Sequence, residues 1–198
     1  VVFYKKGDYM MFKNTYWFWE AEIKPEVCDK WVNEHFNNNE IEEATVGTGK
    51  GDYIKNNDVR ITDVVWIKPG TEIFDTIFNY VKSANMNAGW NFDLSGMEDV
   101  QLGKYSDGGF YDWHIDAFAP EEGNWQRKLS CSIQLTDPDM YEGGDLIIKT
   151  SLQGSTEMVS RKKGTIVVFP SFVEHKVTPV TKGTRYSAVS WMKGQAFR

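Results

Sequence analysis

His114, Asp116 and His175, followed ten positions later by Arg185, form an H-x-D…H…R series. Two imidazoles and one carboxylate on one face of an ion leave the opposite positions open, an arrangement suited to non-haem Fe(II) and oxygen activation. A closed set of four ligands would serve structure, whereas three leave room for a bidentate co-substrate and for O2. Arg185 then has a purpose, because a guanidinium grips a carboxylate through two parallel charge-assisted hydrogen bonds. The pattern implies Fe(II) with an oxoacid such as 2-oxoglutarate. Two His and one carboxylate also suit a catalytic Zn(II). The H-E-x-x-H helix of zinc proteases is absent, however, and zinc gives Arg185 no role. The third histidine, His35, falls at helical spacing from Val27 and Trp31 and is read as an ordinary helix residue.

These residues need elements to hold them. In a strand, positions i and i+2 share a face, so His114 and Asp116 can reach one ion together. From about residue 92 the chain reads as short β segments at 100–105, 111–115, 129–135, 145–149, 157–160, 165–169, 175–177 and 185–192. They are separated by glycine-containing turns at 107–109, 142–144 and 163–164. Eight short strands so spaced predict a mainly β fold with supporting helices, its core a jelly roll or double-stranded β-helix open at one end. Inward-facing residues near that mouth could gather metal, oxoacid and substrate.

Upstream, Pro25 opens one predicted helix, and a second runs over about 71–84 with Ile73, Ile77, Val81 and Ala84 on one face. Between them, residues 46–58 are polar and glycine-rich and are expected to form a mobile loop, a lid over the site in the functional reading. Their glycines lack the order of a phosphate loop. No linker, repeat or low-complexity tract interrupts the 198 residues, so one domain is expected, with helical and sheet support over about 1–98 and the jelly-roll core over about 99–193.

A net charge of −6 argues against nucleic acid or an anionic membrane as the main partner. Cys28 and Cys131 are too few for a disulfide framework, which suggests a reduced setting. With no apolar run long enough to span a membrane and no signal-peptide pattern, a cytoplasmic location is expected. The eight Trp, nine Tyr and twelve Phe mostly indicate a β-rich core.

The stretch YSDGGFYDWHID over residues 105–116 resembles the Y-x-x-G-x-x-Y-x-x-H-x-D block of the prolyl 4-hydroxylase family of Fe(II)/2-oxoglutarate-dependent dioxygenases. The likeness continues through QRKL at 126–129, EGGD at 142–145, FPS at 169–171 with His175, and KGTRYSAVSW at 182–191. Upstream, DVRIT at 58–62 is similar to the family's segment after its mobile substrate loop. The resemblance implies iron on His114, Asp116 and His175, and the C5 carboxylate of 2-oxoglutarate on Arg185 with help from the Tyr105 hydroxyl. It further implies Tyr111 and Trp191 at the mouth and Arg127 at a substrate-contacting position. The cofactors it implies are Fe(II), 2-oxoglutarate and O2, with ascorbate as an optional reductant. The implied reaction is hydroxylation of a prolyl residue in a peptide or protein, since the Asp116 carboxylate disfavours halogenation. Two departures stand out. Arg185 occupies the place of Lys in the collagen-type enzymes, and Leu146 follows Asp145 where a Thr is common, so Ser187 is the replacement hydroxyl.

Rival readings keep the metal and change the rest. A free amino acid or a non-prolyl side chain would need the same iron core. A nucleic-acid demethylase would carry a second Arg at the position of Trp191. A non-catalytic metal-binding β-barrel would explain the strands and histidines but not Arg185 and Tyr105.

Overall fold

The computed structural model describes residues 13–36, 38–47, 52–120, 123–151 and 153–197. In chain order its elements are β1 (Trp17–Trp19), α1 (Pro25–Phe36), β2 (Glu42–Glu43), β3 (Val46–Gly47), β4 (Tyr53–Ile54), β5 (Arg60–Ile61), β6 (Asp63–Ile67) and α2 (Glu72–Asn87). These are followed by β7 (Gly96–Met97), β8 (Val100–Tyr105), β9 (Phe110–His114), β10 (Trp125–Gln134), β11 (Tyr141–Gly143) and β12 (Leu146–Lys149). The chain closes through β13 (Thr156–Met158), β14 (Ile166–Pro170), β15 (His175–Val177), β16 (Val180–Gly183) and β17 (Arg185–Gln195).

Two antiparallel sheets form the jelly roll. The major sheet runs β1-β14-β10-β17-β8-β6-β2, with β7 added beside β17, and the minor sheet runs β13-β12-β15-β9-β5. Both helices pack on the outer face of the major sheet. α2 starts where Thr71 accepts a hydrogen bond from the Phe74 backbone N–H, a side-chain cap for an otherwise unpaired donor. Its buried face is Ile73, Ile77, Val81 and Ala84, and these join Trp31 and Cys28 of α1 in the larger apolar core.

The central strands β10 and β17 divide their side chains between two environments, as a period of two requires. Leu129, Cys131 and Ile133 of β10 and Ala188 and Met192 of β17 enter the core beneath the helices. The alternate residues Ser132, Ser187, Val189 and Trp191 face a cavity between the sheets. A second, smaller apolar cluster including Leu146, Ile148, Val167 and Phe169 lies on that inter-sheet side.

Each of the eight predicted strand segments overlaps an observed strand, and α2 extends three residues past its predicted end. The segment 46–58 differs from expectation. Val46 and Gly47 pair with Tyr53 and Ile54 in a two-stranded ribbon, while residues 48–51, the glycine-rich tip of the predicted loop, lie outside the described residues. Strands β1 and β6, like β2, β5, β7, β11 and β16, had no predicted counterpart, and β11 overlaps the turn predicted at 142–144. β1 and β6 both add to the major sheet next to helices, and β6 carries the near-continuous apolar run Val64-Val65 and Ile67 of a strand covered on both faces.

Candidate metal and oxoacid site

His114 ends β9 and His175 opens β15, and the two residues are paired across the minor sheet. Asp116 lies two residues past β9, where its own backbone N–H and that of Ala117 both donate to the Ser171 carbonyl. The shared face therefore survives although the strand has ended. One ligand atom from each of the three side chains lies within 4.8 Å of the others. His114 Nε2 stands 3.6 Å from Asp116 Oδ1, and His175 Nε2 3.5 Å from Asp116 Oδ2.

The far side of each ring is anchored. His114 Nδ1 is 2.7 Å from the Asp112 carbonyl and His175 Nδ1 is 3.0 Å from the Val173 carbonyl. A carbonyl only accepts, so each Nδ1 carries the proton and each Nε2 is left with its lone pair toward Asp116. Ser130 donates to Asp116 Oδ2 at 2.7 Å. Burial, and then the neighbouring His175, push the His114 imidazolium well below its ordinary range. Burial alone would raise Asp116, but the two imidazoles, Arg127 and the Ser130 hydroxyl outweigh it and hold the carboxyl low. Neutral imidazoles and a carboxylate are the forms that ligate a divalent cation, so the donor set fits one.

The cavity they face has a volume of about 410 Å3. On its wall, Arg185 is 1% exposed. Its Nη2 donates to Gln134 Oε1 at 2.9 Å and its Nη1 reaches Ser187 Oγ at 3.4 Å, while Nε has no hydrogen-bond partner. Among the described residues no carboxylate pairs with it. The Tyr105 ring lies 5.2 Å from the guanidinium, on the strand position directly opposite. Gly144 permits this packing: at φ +65°, a Cβ there would stand 2.9 Å from Arg185 Cδ. Leu146, Phe169 and Val177 add apolar wall to the same cavity. A ligand with a distal carboxylate, a short apolar middle and a metal-chelating end matches this lining.

Nearer the mouth, Tyr111 stacks on the His114 ring with centroids 3.4 Å apart, and burial pushes its hydroxyl up to about 12. Arg127 forks onto Glu98 with bonds of 2.8 and 2.6 Å and lies 3.8 Å from the Trp191 ring centroid. All nine residues singled out from sequence, namely His114, Asp116, His175, Arg185, Tyr105, Ser187, Tyr111, Arg127 and Trp191, line this one cavity. Sequence reasoning missed Ser130, Gln134, Glu98 and Arg60. The first two had a readable signal, since Leu-Ser-Cys-Ser-Ile-Gln over 129–134, within the fully buried part of β10, alternates apolar and polar. Glu98 had none.

Residues 100–193 match the family model of the 2OG-Fe(II) oxygenase superfamily. The chain is 39% identical over 97 residues to a PKHD-type hydroxylase of Synechococcus sp. (strain CC9605), an alignment covering 49% of this chain and 42% of the relative. It is 35% identical over 92 residues to a PKHD-type hydroxylase of Teredinibacter turnerae, covering 45% and 40%. The matched part thus spans about two fifths of these relatives' length. Among solved structures, a Pseudomonas putida prolyl-4-hydroxylase superposes with a TM-score of 0.70 at 20% identity, covering 92% of this chain and 94% of the other. A Trichoplax adhaerens prolyl hydroxylase in complex with a hypoxia inducible factor peptide superposes with a TM-score of 0.71 at 15% identity, covering 90% and 83%. At these identities the structural likeness establishes the fold, the double-stranded β-helix. No helix among the described residues is long and apolar enough to cross a membrane.

Proposed function

We propose that this chain, a member of the 2OG-Fe(II) oxygenase superfamily through residues 100–193, is a 2-oxoglutarate-dependent dioxygenase that hydroxylates a prolyl residue of a peptide or protein. The observation that carries the oxygenase reading is Arg185, a buried guanidinium with only neutral partners, sharing one cavity with the His114, Asp116 and His175 donor set. A buried cation without a counter-charge is costly unless an anion completes it.

His114, Asp116 and His175 would hold Fe(II), which with 2-oxoglutarate and O2 supplies oxidation of a substrate C–H bond to C–OH, the oxoacid being converted to succinate and CO2. Arg185 would fork onto the distal carboxylate of the oxoacid, with Tyr105 and Ser187 beside it, and so orient the chelating end toward the metal donors. The Asp112 and Val173 carbonyls fix the tautomer that turns each Nε2 toward the site, and the Ser130 hydroxyl favours the carboxylate form of Asp116. The apolar wall of Phe169, Leu146 and Val177 would disfavour water in the cavity. Tyr111, Trp191 and Arg127 would contact the substrate at the mouth, a cleft of aromatic faces suited to an extended proline-containing strand that loses little further entropy on ordering. The prolyl choice is supported by the likeness to hydroxylases and prolyl hydroxylases.

Anaerobic titration of the protein with Fe(II) and 2-oxoglutarate tests the reading through the visible charge-transfer band of a chelated oxoacid. The band is expected in the wild type and weakened in Arg185→Ala. Metal binding with no band at any oxoacid concentration would sink the oxygenase assignment. Hydroxylation of proline-rich peptides, read by a mass gain of one oxygen, then tests the substrate.

A further inference from the structure

Among the described residues three guanidinium groups line the cavity, and two have an assigned counter-charge. Arg127 is forked on Glu98, which also takes Lys193 at 3.2 Å. Arg185 is the group given above to the oxoacid. Arg60 has neither. It is 8% exposed, so like Arg185 it is a buried charge. Its Nη2 donates to Gln101 Oε1 at 2.6 Å and its Nη1 to the Thr45 carbonyl at 3.4 Å, while Nε is buried with no hydrogen-bond partner.

An amide oxygen and a peptide carbonyl satisfy donors but leave the charge uncompensated. Among the described residues no carboxylate lies within ion-pair distance of Arg60. Of the cavity's carboxylates, Asp116 is committed to the metal donors, Glu98 to Arg127 and Lys193, and Glu42 is exposed at the entrance.

The placement of Arg60 is also specific. Strand β5 pairs with β9 so that Arg60 is opposite Tyr111, and the guanidinium lies 4.6 Å from the Tyr111 ring centroid. Tyr111 in turn stacks on His114. The cation therefore sits beside the reacting end of the cavity, and a rigid aromatic plane keeps it oriented.

We propose that Arg60 is a specificity-determining residue that selects substrates carrying a carboxylate close to the carbon to be oxidised. That carboxylate is an acidic side chain or a free C-terminal group. The inference rests on the oxygenase reading above and adds a chemical class to its substrate.

The test uses four short probes with one prolyl core: Ac-Ala-Pro-Asp-NH2 against Ac-Ala-Pro-Asn-NH2, and Ac-Ala-Pro-OH against Ac-Ala-Pro-NH2. Each is titrated under argon into the full chain loaded with Fe(II) and 2-oxoglutarate. Binding is followed by tryptophan fluorescence, because Trp66 and Trp191 line the cavity. In the wild type, one carboxylate is expected to bind about tenfold or more tightly than its amide, the scale of one charge-assisted pair. Which pair shows the preference distinguishes a side-chain from a C-terminal source. In Arg60→Gln that advantage should vanish, and Arg60→Lys, which keeps the charge, should retain part of it. Equal binding within both pairs, no binding of any probe, or a preference that survives Arg60→Gln overturns the proposal. A missing oxoacid band in the wild type overturns instead the reading on which it rests.

Discussion

The Ser130 hydroxyl donates to Asp116 Oδ2 across 2.7 Å, and the same hydroxyl is 3.0 Å from Ser171 Oγ, whose backbone carbonyl receives the Asp116 N–H. Two segments thus fix Asp116, β10 through a side chain on its carboxylate and the turn after β14 through a carbonyl on its backbone N–H. Outer partners of this kind orient metal ligands, and losing one typically weakens metal affinity by about 10- to 100-fold. Ser130→Ala is expected to do so here. Anaerobic Fe(II) titration checks it, and unchanged affinity would assign Ser130 to packing alone.

Gly144 brings a second constraint to Arg185. Its φ of +65° is unfavourable for any residue with a Cβ, and that Cβ would stand 2.9 Å from both Arg185 Cδ and Val180 Cγ2. Gly144→Ala should cost about 1–3 kcal/mol in urea unfolding. It should also weaken 2-oxoglutarate binding more than metal binding, because the displaced group is Arg185.

The Arg127–Glu98 fork is mostly buried. Glu98→Gln leaves Arg127 against Trp191 without its carboxylate, and removing one member of a buried pair costs about 3 kcal/mol or more. A double-mutant cycle with Arg127→Met measures the coupling by thermal unfolding. A double variant destabilised by the sum of the two single losses would mean the two residues act independently of their contact.

Cys28 and Cys131 are free and buried in the core beneath the helices. Burial pushes the Cys28 thiol up to about 11 from an ordinary 9.0, and pushes Cys131 higher still. A raised folded pKa gives stability that is fully present below the unfolded value and lost as pH rises through the folded one. Each thiol should therefore contribute to a fall in stability above about pH 9, with a slope approaching about 1.4 kcal/mol per pH unit per thiol. Urea unfolding from pH 8 to 11 should show a shallower decline in Cys28→Ala/Cys131→Val than in the wild type. Neither thiol should react with iodoacetamide at pH 8 until the protein is unfolded.

Much of the cavity lining was readable because its residues sit in local patterns. His114 and Asp116 are two apart, Tyr105 and Tyr111 share their block, and Trp191 follows Arg185 by six along one strand. Period-two alternation in β10 also marked Ser130 and Gln134 as facing away from the apolar core, though only pairing with β14 and β17 shows what they face. The ribbon of Val46–Gly47 with Tyr53–Ile54 was hidden because two-residue strands carry no periodicity.

Residue chemistry along the chain was enough to name the His114, Asp116 and His175 cluster, the guanidinium that shares its cavity and the β-rich architecture, because residue types and strand alternation are local properties. Tertiary structure alone decided which charges are answered and which are not. Glu98 meets Arg127 from 29 positions away, while Gln134, 51 positions before Arg185, gives it a neutral acceptor. Among the described residues, the hydrogen-bond acceptors of Arg60 are Gln101 and a backbone carbonyl, both neutral. Whether a buried cation is neutralised depends on which strands the fold brings together, and no spacing in the sequence encodes that distance.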